Sequence, residues 1–355
     1  MTGTFTYQEL RDWELELSDG FVAWLADHDV ALAFSQANRV WMVGPGSPGG
    51  PRPDIDVQAF DQPLGIVADG PDTVWLATRY QIWRLQNVLG PEGRTRDGHD
   101  RLYVPRTAHT TGFLGAQDLA VRADGSLLFT NTLFNCIATL SPSLSFEPQW
   151  IPPFVTEFTG EDRCHLTGLA LREDQPAFAT VLGVSDQPGG WRATDHRDGA
   201  VVDVVADAVV ARGLCMPYSP RLHDGRLWVT SAGEGAFGYI DLERGRFETV
   251  VQLPAFLRGV AIVGRYAVVA ASGSRSGELF SGLPVESAML AAGGRWRQGL
   301  YVIDLDRGEI VESMTIIGAG YEITALTAIP GATSPKLVGP NSDEAQHCVA
   351  VGASS

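Results

Sequence analysis

The sequence predicts an all-β chain: a six-bladed β-propeller closed by its own C-terminal strand, with one short helix near the N-terminus. Three observations carry this. A unit of apolar strand, turn, Trp/Leu/Val/Thr-rich strand and third strand recurs along the chain. Its second strands begin at Ala31, Val74, Leu127, Ala177, Leu227 and Ala267, a spacing of about 40–50 residues that matches a propeller blade. Asp-Gly turns punctuate the units at Asp69-Gly70, Asp124-Gly125 and Asp224-Gly225, where glycine supplies the positive φ of a tight turn. A β-sandwich is the rival, but a sandwich does not repeat its strand order.

The elements follow in order. Residues 1–18 are polar and acidic and read as a partly ordered arm. FVAWLADHD places Phe21, Val22, Trp24 and Leu25 on one helical face, with Asp19 in position to cap it. Val30 to Gly44 reads as two strands around a polar turn at Gln36 to Asn38. PGSPGGPRPD (Pro45 to Asp54) is a loop. The repeats then run from Pro63 to Gln86, Ala116 to Ser141, Leu166 to Asp207, Ser219 to Pro254 and Arg258 to Ile316, the last carrying an insertion at Ser274 to Arg297. The first unit lacks an inner strand, and YEITALTAIPG (Tyr321 to Gly331) is an inner strand without a unit. Pairing it with Val30 to Ser35 completes six blades and leaves no open sheet edge. The propeller is thus expected to span residues 19–340, with a tail at 341–355.

Composition narrows the partners. The chain has 355 residues, a net charge of −16 and a pI near 4.8. Such a surface repels phosphate backbones and anionic lipid, so neither nucleic acid nor a membrane is expected as a partner. The four cysteines, Cys136, Cys164, Cys215 and Cys348, form no C-x-x-C pair and are expected to be free thiols. The N-terminal MTGTFTYQELRDWELEL has neither the basic nor the apolar region of a secretory signal, and no run is long enough to span a membrane. A cytoplasmic protein is expected.

Inner strands of a propeller converge on a central channel, so their leading ends meet at one mouth. Those positions hold Leu64, Gln117, Thr167, Tyr218, Arg258 and either Glu322 or Ile323, with His109, His165 and Met216 just upstream. A buried funnel of Gln, His, Tyr, Arg and Glu must satisfy its polar groups internally or offer them to a ligand. His165, with Asp162 nearby, fits a general base, a metal ligand or a structural histidine. Arg258 fits an anchor for an anion or a partner for Glu322. Tyr218 lies between Pro217 and Pro220, which stiffen its backbone, and serves as a proton donor or as packing. Asn131 and Asn135 either point inward or staple neighbouring blades together. His223 and Asp224 belong to a turn at the far end of their strand. No G-x-S-x-G, Walker loop, dinucleotide fingerprint or H-E-x-x-H is present.

The strings SLLFTNTLFNCIATL, EDRCHLTGLAL, GGWR, CMPYSPRLHDGRLWV and LPAFLRGVAI resemble an uncharacterised family of bacterial propeller-type proteins, a domain of unknown function, from about Phe21 to Pro340. Its architecture is similar to that of gluconolactonase-like and strictosidine-synthase-like propellers, which implies a site at the central channel. In the family pattern histidines stand where this chain has Gln117 and Tyr218, and an asparagine where it has Thr167, while His109, His165 and Arg258 match. A cluster of channel histidines implies a metal site, and Gln and Tyr at two of its positions weaken or abolish such a site here.

The resulting expectation is a small-molecule enzyme of bacterial specialised metabolism. It performs cyclisation, isomerisation or hydrolysis by acid/base chemistry at the channel mouth, with no cofactor. His165 or His109 is the base and Tyr218 the proton donor. Arg258, Gln117, Thr167, Glu322 and Asn131 bind substrate. A metal-dependent hydrolase of lactonase type, using a divalent metal, and a non-catalytic binding or scaffold propeller are the alternatives.

Overall fold

The computed structural model describes residues 13–47, 49–192, 196–273, 282–292, 298–317 and 322–351. Its strands form six sheets of four or five strands each. The innermost strands are Ile323–Pro330, Ile66–Asp69, Leu119–Val121, Leu166–Arg172, Pro217–His223 and Phe256–Val263, for blades 1 to 6. Each touches the innermost strand of the blade on either side, so the ring closes on itself. The expected six-bladed propeller is what the chain forms.

The blades stack face to face, and this explains why their middle strands are apolar throughout instead of alternating. Val74, Leu76 and Ala77 in blade 2 are all fully buried, as expected for a strand covered on both faces. Between blades 3 and 4, Leu128 and Ile137 pack with Leu169, Ala179 and Val181 in one cluster. Continuous apolar runs mark the middle strands, and polar runs mark the rim.

Closure occurs where it was expected. Ile323–Pro330 lies antiparallel to Val30–Gln36, with Val30 opposite Pro330 and Ser35 opposite Ala325. Ile323, Leu326 and Ile329 are buried there, each contributing about 1.5–3 kcal/mol. A chain ending before Glu322 is therefore expected to lose its cooperative thermal transition. A melting curve as sharp as that of the full chain would show the clasp to be dispensable.

The structure adds two outer strands. Glu14–Leu17, within the anticipated arm, pairs with the last long strand of blade 6, Glu309–Ile317. Pro335–Leu337 runs parallel to Arg101–Thr110 at the edge of blade 2. Asp54, Asp100 and Asp56 hold this last strap, accepting hydrogen bonds from the Ser334 hydroxyl, the Thr333 and Ser334 amides, and the Leu337 amide. The helix spans Phe21–Asp27 and buries Phe21, Trp24 and Leu25. Its N-cap is Gly20, with no side-chain cap, so Asp19 does not take the expected role. The insertion's described part includes a helix, Pro284–Ala291, whose Val285 and Met289 pack into the blade 5–blade 6 core.

Candidate functional site

A chain of side chains crosses the channel mouth from blade 4 to blade 1. It begins at Asp162, whose carboxylate accepts from His165 Nδ1 at 2.9 Å and from the Trp191 indole at 2.9 Å. The other imidazole nitrogen, Nε2, lies 2.9 Å from Gln117 Nε2. Gln117 Oε1 accepts from Arg258 Nη2 at 2.9 Å, and Arg258 Nη1 donates to Glu322. The Arg258 guanidinium also lies 4.4 Å from the centre of the Tyr218 ring, a cation–π contact.

The local backbone explains how these groups are aimed. Asp162, His165, Met216 and Ser219 adopt positive φ, between 47° and 54°. These left-handed turns swing the chain from the preceding blade onto the mouth. Non-glycine residues there are held at a cost of order 1–3 kcal/mol, and such residues cluster at working sites. The loop carrying Asp162 and His165 is fastened by Arg163, which is buried and pairs with Glu157, Glu161 and Asp186. Trp191 covers His165, its ring 4.2 Å from the imidazole. Arg192 stacks on Trp191 and reaches Asp162 at 3.4 Å.

Hydrogen-bond direction fixes the protonation pattern. Arginine only donates, so the atom of Gln117 that meets Arg258 is its oxygen. The Gln117 amide nitrogen therefore faces His165, and Nε2 accepts from it. Nδ1 carries the proton and gives it to Asp162. His165 is thus neutral, with its basic lone pair at the mouth. Burial drives its pKa below the ordinary 6.5; Asp162 opposes this, while Arg258 and Arg192 add to it. Burial pushes the Tyr218 phenol up to about 12, with Arg258 pulling against it. At neutral pH Tyr218 is a hydrogen-bond donor and not a titrating acid.

Below the mouth the channel is crossed by a buried ion pair that the sequence reading missed. Asp118 accepts from Arg221 Nη1 and Nη2, both at 2.9 Å, and from the Leu169 amide at 3.1 Å. Arg221 Nε donates to the Val260 carbonyl. Blades 3 to 6 are thereby tied at the axis. Beyond this pair lies a cavity of about 360 Å³, lined by all six inner strands and by Arg221, His223 and Thr327. His223 sits at this opposite end, as its turn position implied. Asp118 follows Gln117 directly, and Arg221 lies three residues past Tyr218. The available signal was a carboxylate directly before the apolar strand Leu119–Val121 and a guanidinium inside the strand Pro217–His223.

Of the anticipated site residues, the structure brings together His165 with its neighbour Asp162, Gln117, Tyr218, Arg258 and Glu322, and adds Trp191 and Arg192. It does not bring His109, Thr167 or Asn131 to this network. His109 lies on Arg101–Thr110, opposite Ile82, in the fourth strand outward from the axis. That strand is ten residues long, so the chain reaches the channel only after Thr110. Thr167 is buried, its hydroxyl within hydrogen-bond range of Thr180 and the Pro217 carbonyl. Asn131 is fully buried, and its Oδ1 accepts from the Phe134 amide in a turn. Among the described residues, no group of three or more His, Cys, Asp or Glu is placed to hold a metal ion.

Fold and mouth together define a six-bladed β-propeller with a polar network across one end of its channel. Residues 19–338 match the model of a domain of unknown function, DUF4915, and the chain belongs to that family. No curated protein matches it. Among solved structures, a chain of a nidogen/laminin complex is 11% identical, with a TM-score of 0.52 over 85% of this chain and 99% of that one. Virginiamycin B lyase from Staphylococcus aureus is 10% identical, with a TM-score of 0.42 over 84% and 88% of the two chains. At these identities the first likeness shows the fold alone. No helix among the described residues is long and apolar enough to cross a membrane.

Proposed function

We propose that the channel mouth is the active site of a small-molecule enzyme, and that His165 is its general base. The observation carrying this is the Asp162–His165 pair. A carboxylate fixes the Nδ1–H tautomer and keeps the basic lone pair on Nε2, which now accepts from Gln117 and which a substrate proton reaches once that donor gives way. Tyr218 donates a hydrogen bond to the oxygen of the reacting group. Arg258 stabilises negative charge on the substrate. Trp191 and Arg192 form the rim against which a planar part of the ligand rests. Base-initiated routes of cyclisation, isomerisation and hydrolysis share such a proton transfer. We place the reaction in bacterial specialised metabolism and in the cytoplasm, where buried free thiols such as Cys136, Cys164 and Cys215 persist.

One observation favours a second reading, a propeller that binds without catalysis: Arg258, Glu322, Gln117 and His165 satisfy one another. The test is a thermal-shift screen of small carbonyl and carboxylate compounds on metal-free protein, with NMR detection of turnover for each hit. Catalysis predicts at least one hit that is consumed. Stabilising ligands that are all recovered unchanged would establish the binding reading.

A further inference from the structure

Gln117 stands between a base and a cation, and its amide can serve both only while His165 is neutral. Arg258 takes the oxygen; His165 Nε2 takes an amide hydrogen. Protonating Nε2 sets two N–H groups against each other at 2.9 Å. Turning the amide over offers its oxygen to the imidazolium, but then its NH2 faces the Arg258 N–H. Neither orientation satisfies both neighbours, and buried unmatched donors are costly. A proton on His165 therefore separates Gln117 from Arg258.

Charge balance points the same way. The groups facing His165 and Arg258 are Asp162 and Arg192 beside blade 4, Glu322 from blade 1, the Tyr218 phenol from blade 5, and Asp118 below, itself paired with Arg221. Arg258 with Glu322 and Arg192 with Asp162 sum to zero around a neutral imidazole. An anion added alone is an uncompensated charge at a largely buried site, which is expensive. An anion arriving with a proton on His165 leaves the sum unchanged.

We propose that Gln117 is a switch that couples the proton on His165 to release of Arg258 for an anion, so that the mouth holds imidazolium and substrate anion as a pair. The inference rests on His165 being the base. It defines the substrate as a weak acid X–H, such as an enolisable carbonyl compound. Its proton passes to Nε2, and the electron pair remains on the substrate, carried on an oxygen facing Arg258 Nη2. Gln117 then turns its carbonyl to the imidazolium. It acts through its neighbours and is a positioning residue. A simple carboxylate mimics the state after proton transfer and takes its proton from solvent.

The test uses the full chain with acetate as the probe and acetamide as its neutral control. Proton uptake is measured by calorimetry in buffers of different ionisation enthalpy, and His165 is titrated by NMR. In the wild type, acetate binding is expected to take up one proton and to weaken about tenfold per pH unit above the His165 pKa, while acetamide takes up none. In Gln117→Leu, His165 should titrate at higher pH and acetate should bind about tenfold more tightly at neutral pH, because Arg258 is already released. Gln117→Glu, whose carboxylate accepts from both neighbours, should hold His165 protonated and abolish acetate-linked proton uptake. Absence of acetate binding, binding without proton uptake, or wild-type titration in both variants would each overturn the switch. Failure of the base reading looks different: proton-coupled acetate binding persists, and no substrate is turned over in a His165-dependent way.

Discussion

His165→Gln is expected to lower turnover of a substrate found by screening by about 10²–10⁴-fold, the range a positioned base contributes, with ligand-induced thermal stabilisation largely retained. The glutamine preserves a polar side chain of comparable reach but has no basic lone pair at the Nε2 position. Asp162→Asn should approach the same loss by a different route. Asp162 accepts from Nδ1, so the hydrogen stays on that nitrogen and the lone pair stays on Nε2. An amide offers one acceptor and two donors where a carboxylate offers only acceptors, which leaves the tautomer unspecified. Asp162 also raises the His165 pKa against the lowering by burial, so His165 in Asp162→Asn should titrate at still lower pH. In the wild type the pH–rate profile should be flat from pH 6.5 upward as far as His165 is concerned, and its acidic limb should fall only below the depressed folded pKa. Burial of a neutral histidine also links to stability. Between the folded pKa and 6.5 the unfolded chain binds more protons, so stability rises with pH through that window and is lost as pH falls. Wild-type turnover in His165→Gln would remove the base from the mechanism.

The propeller was legible because blade stacking imposes a pattern that single residues cannot hide. A strand covered on both faces must be apolar throughout, as TVWLA in blade 2 is, and its recurrence at a blade-length period announces the ring. The clasp was legible for a related reason: a unit without an inner strand and an inner strand without a unit can only complete each other. The mouth was partly legible, since Gln117, Tyr218, Arg258 and Glu322 occupy matching positions in their repeats. His109 is expected just upstream of an inner strand, yet PRTAHT extends an outer strand, whose rim position tolerates its proline and polar residues. Trp191 and Arg192 stand in the GGWR string yet the sequence does not assign them to the site, because they lie in a connection between strands, where no period indicates direction. Thr167 occupies a matching position too, but its hydroxyl faces blade 5, and position in a repeat does not reveal which neighbour a side chain bonds.

Asp118→Ala is expected to destabilise the protein by about 3–5 kcal/mol, read as a lower denaturation midpoint with an unchanged slope. Asp118 is buried, and Arg221 is about one-quarter exposed, which places the effect toward the lower end of that range. Removing the carboxylate strands a guanidinium at the axis and takes the partner from the Leu169 amide. Arg221 keeps its bonds to the Val260 and Pro220 carbonyls, so it cannot leave for solvent without breaking the tie to blade 6. Replacing both charges, as in Asp118→Leu with Arg221→Met, should recover much of the loss, because two packed apolar side chains need no counter-charge. The two experiments separate structural from functional work at adjacent positions. Asp118 holds four blades at the axis, and its removal should shift stability in every condition. Gln117, one residue earlier, should shift the titration of His165 with little change in the denaturation midpoint at a pH where the imidazole is neutral. A loss below about 1 kcal/mol in Asp118→Ala, the worth of an exposed pair, would show that stacking of the blades alone fixes the channel and that this ion pair does not.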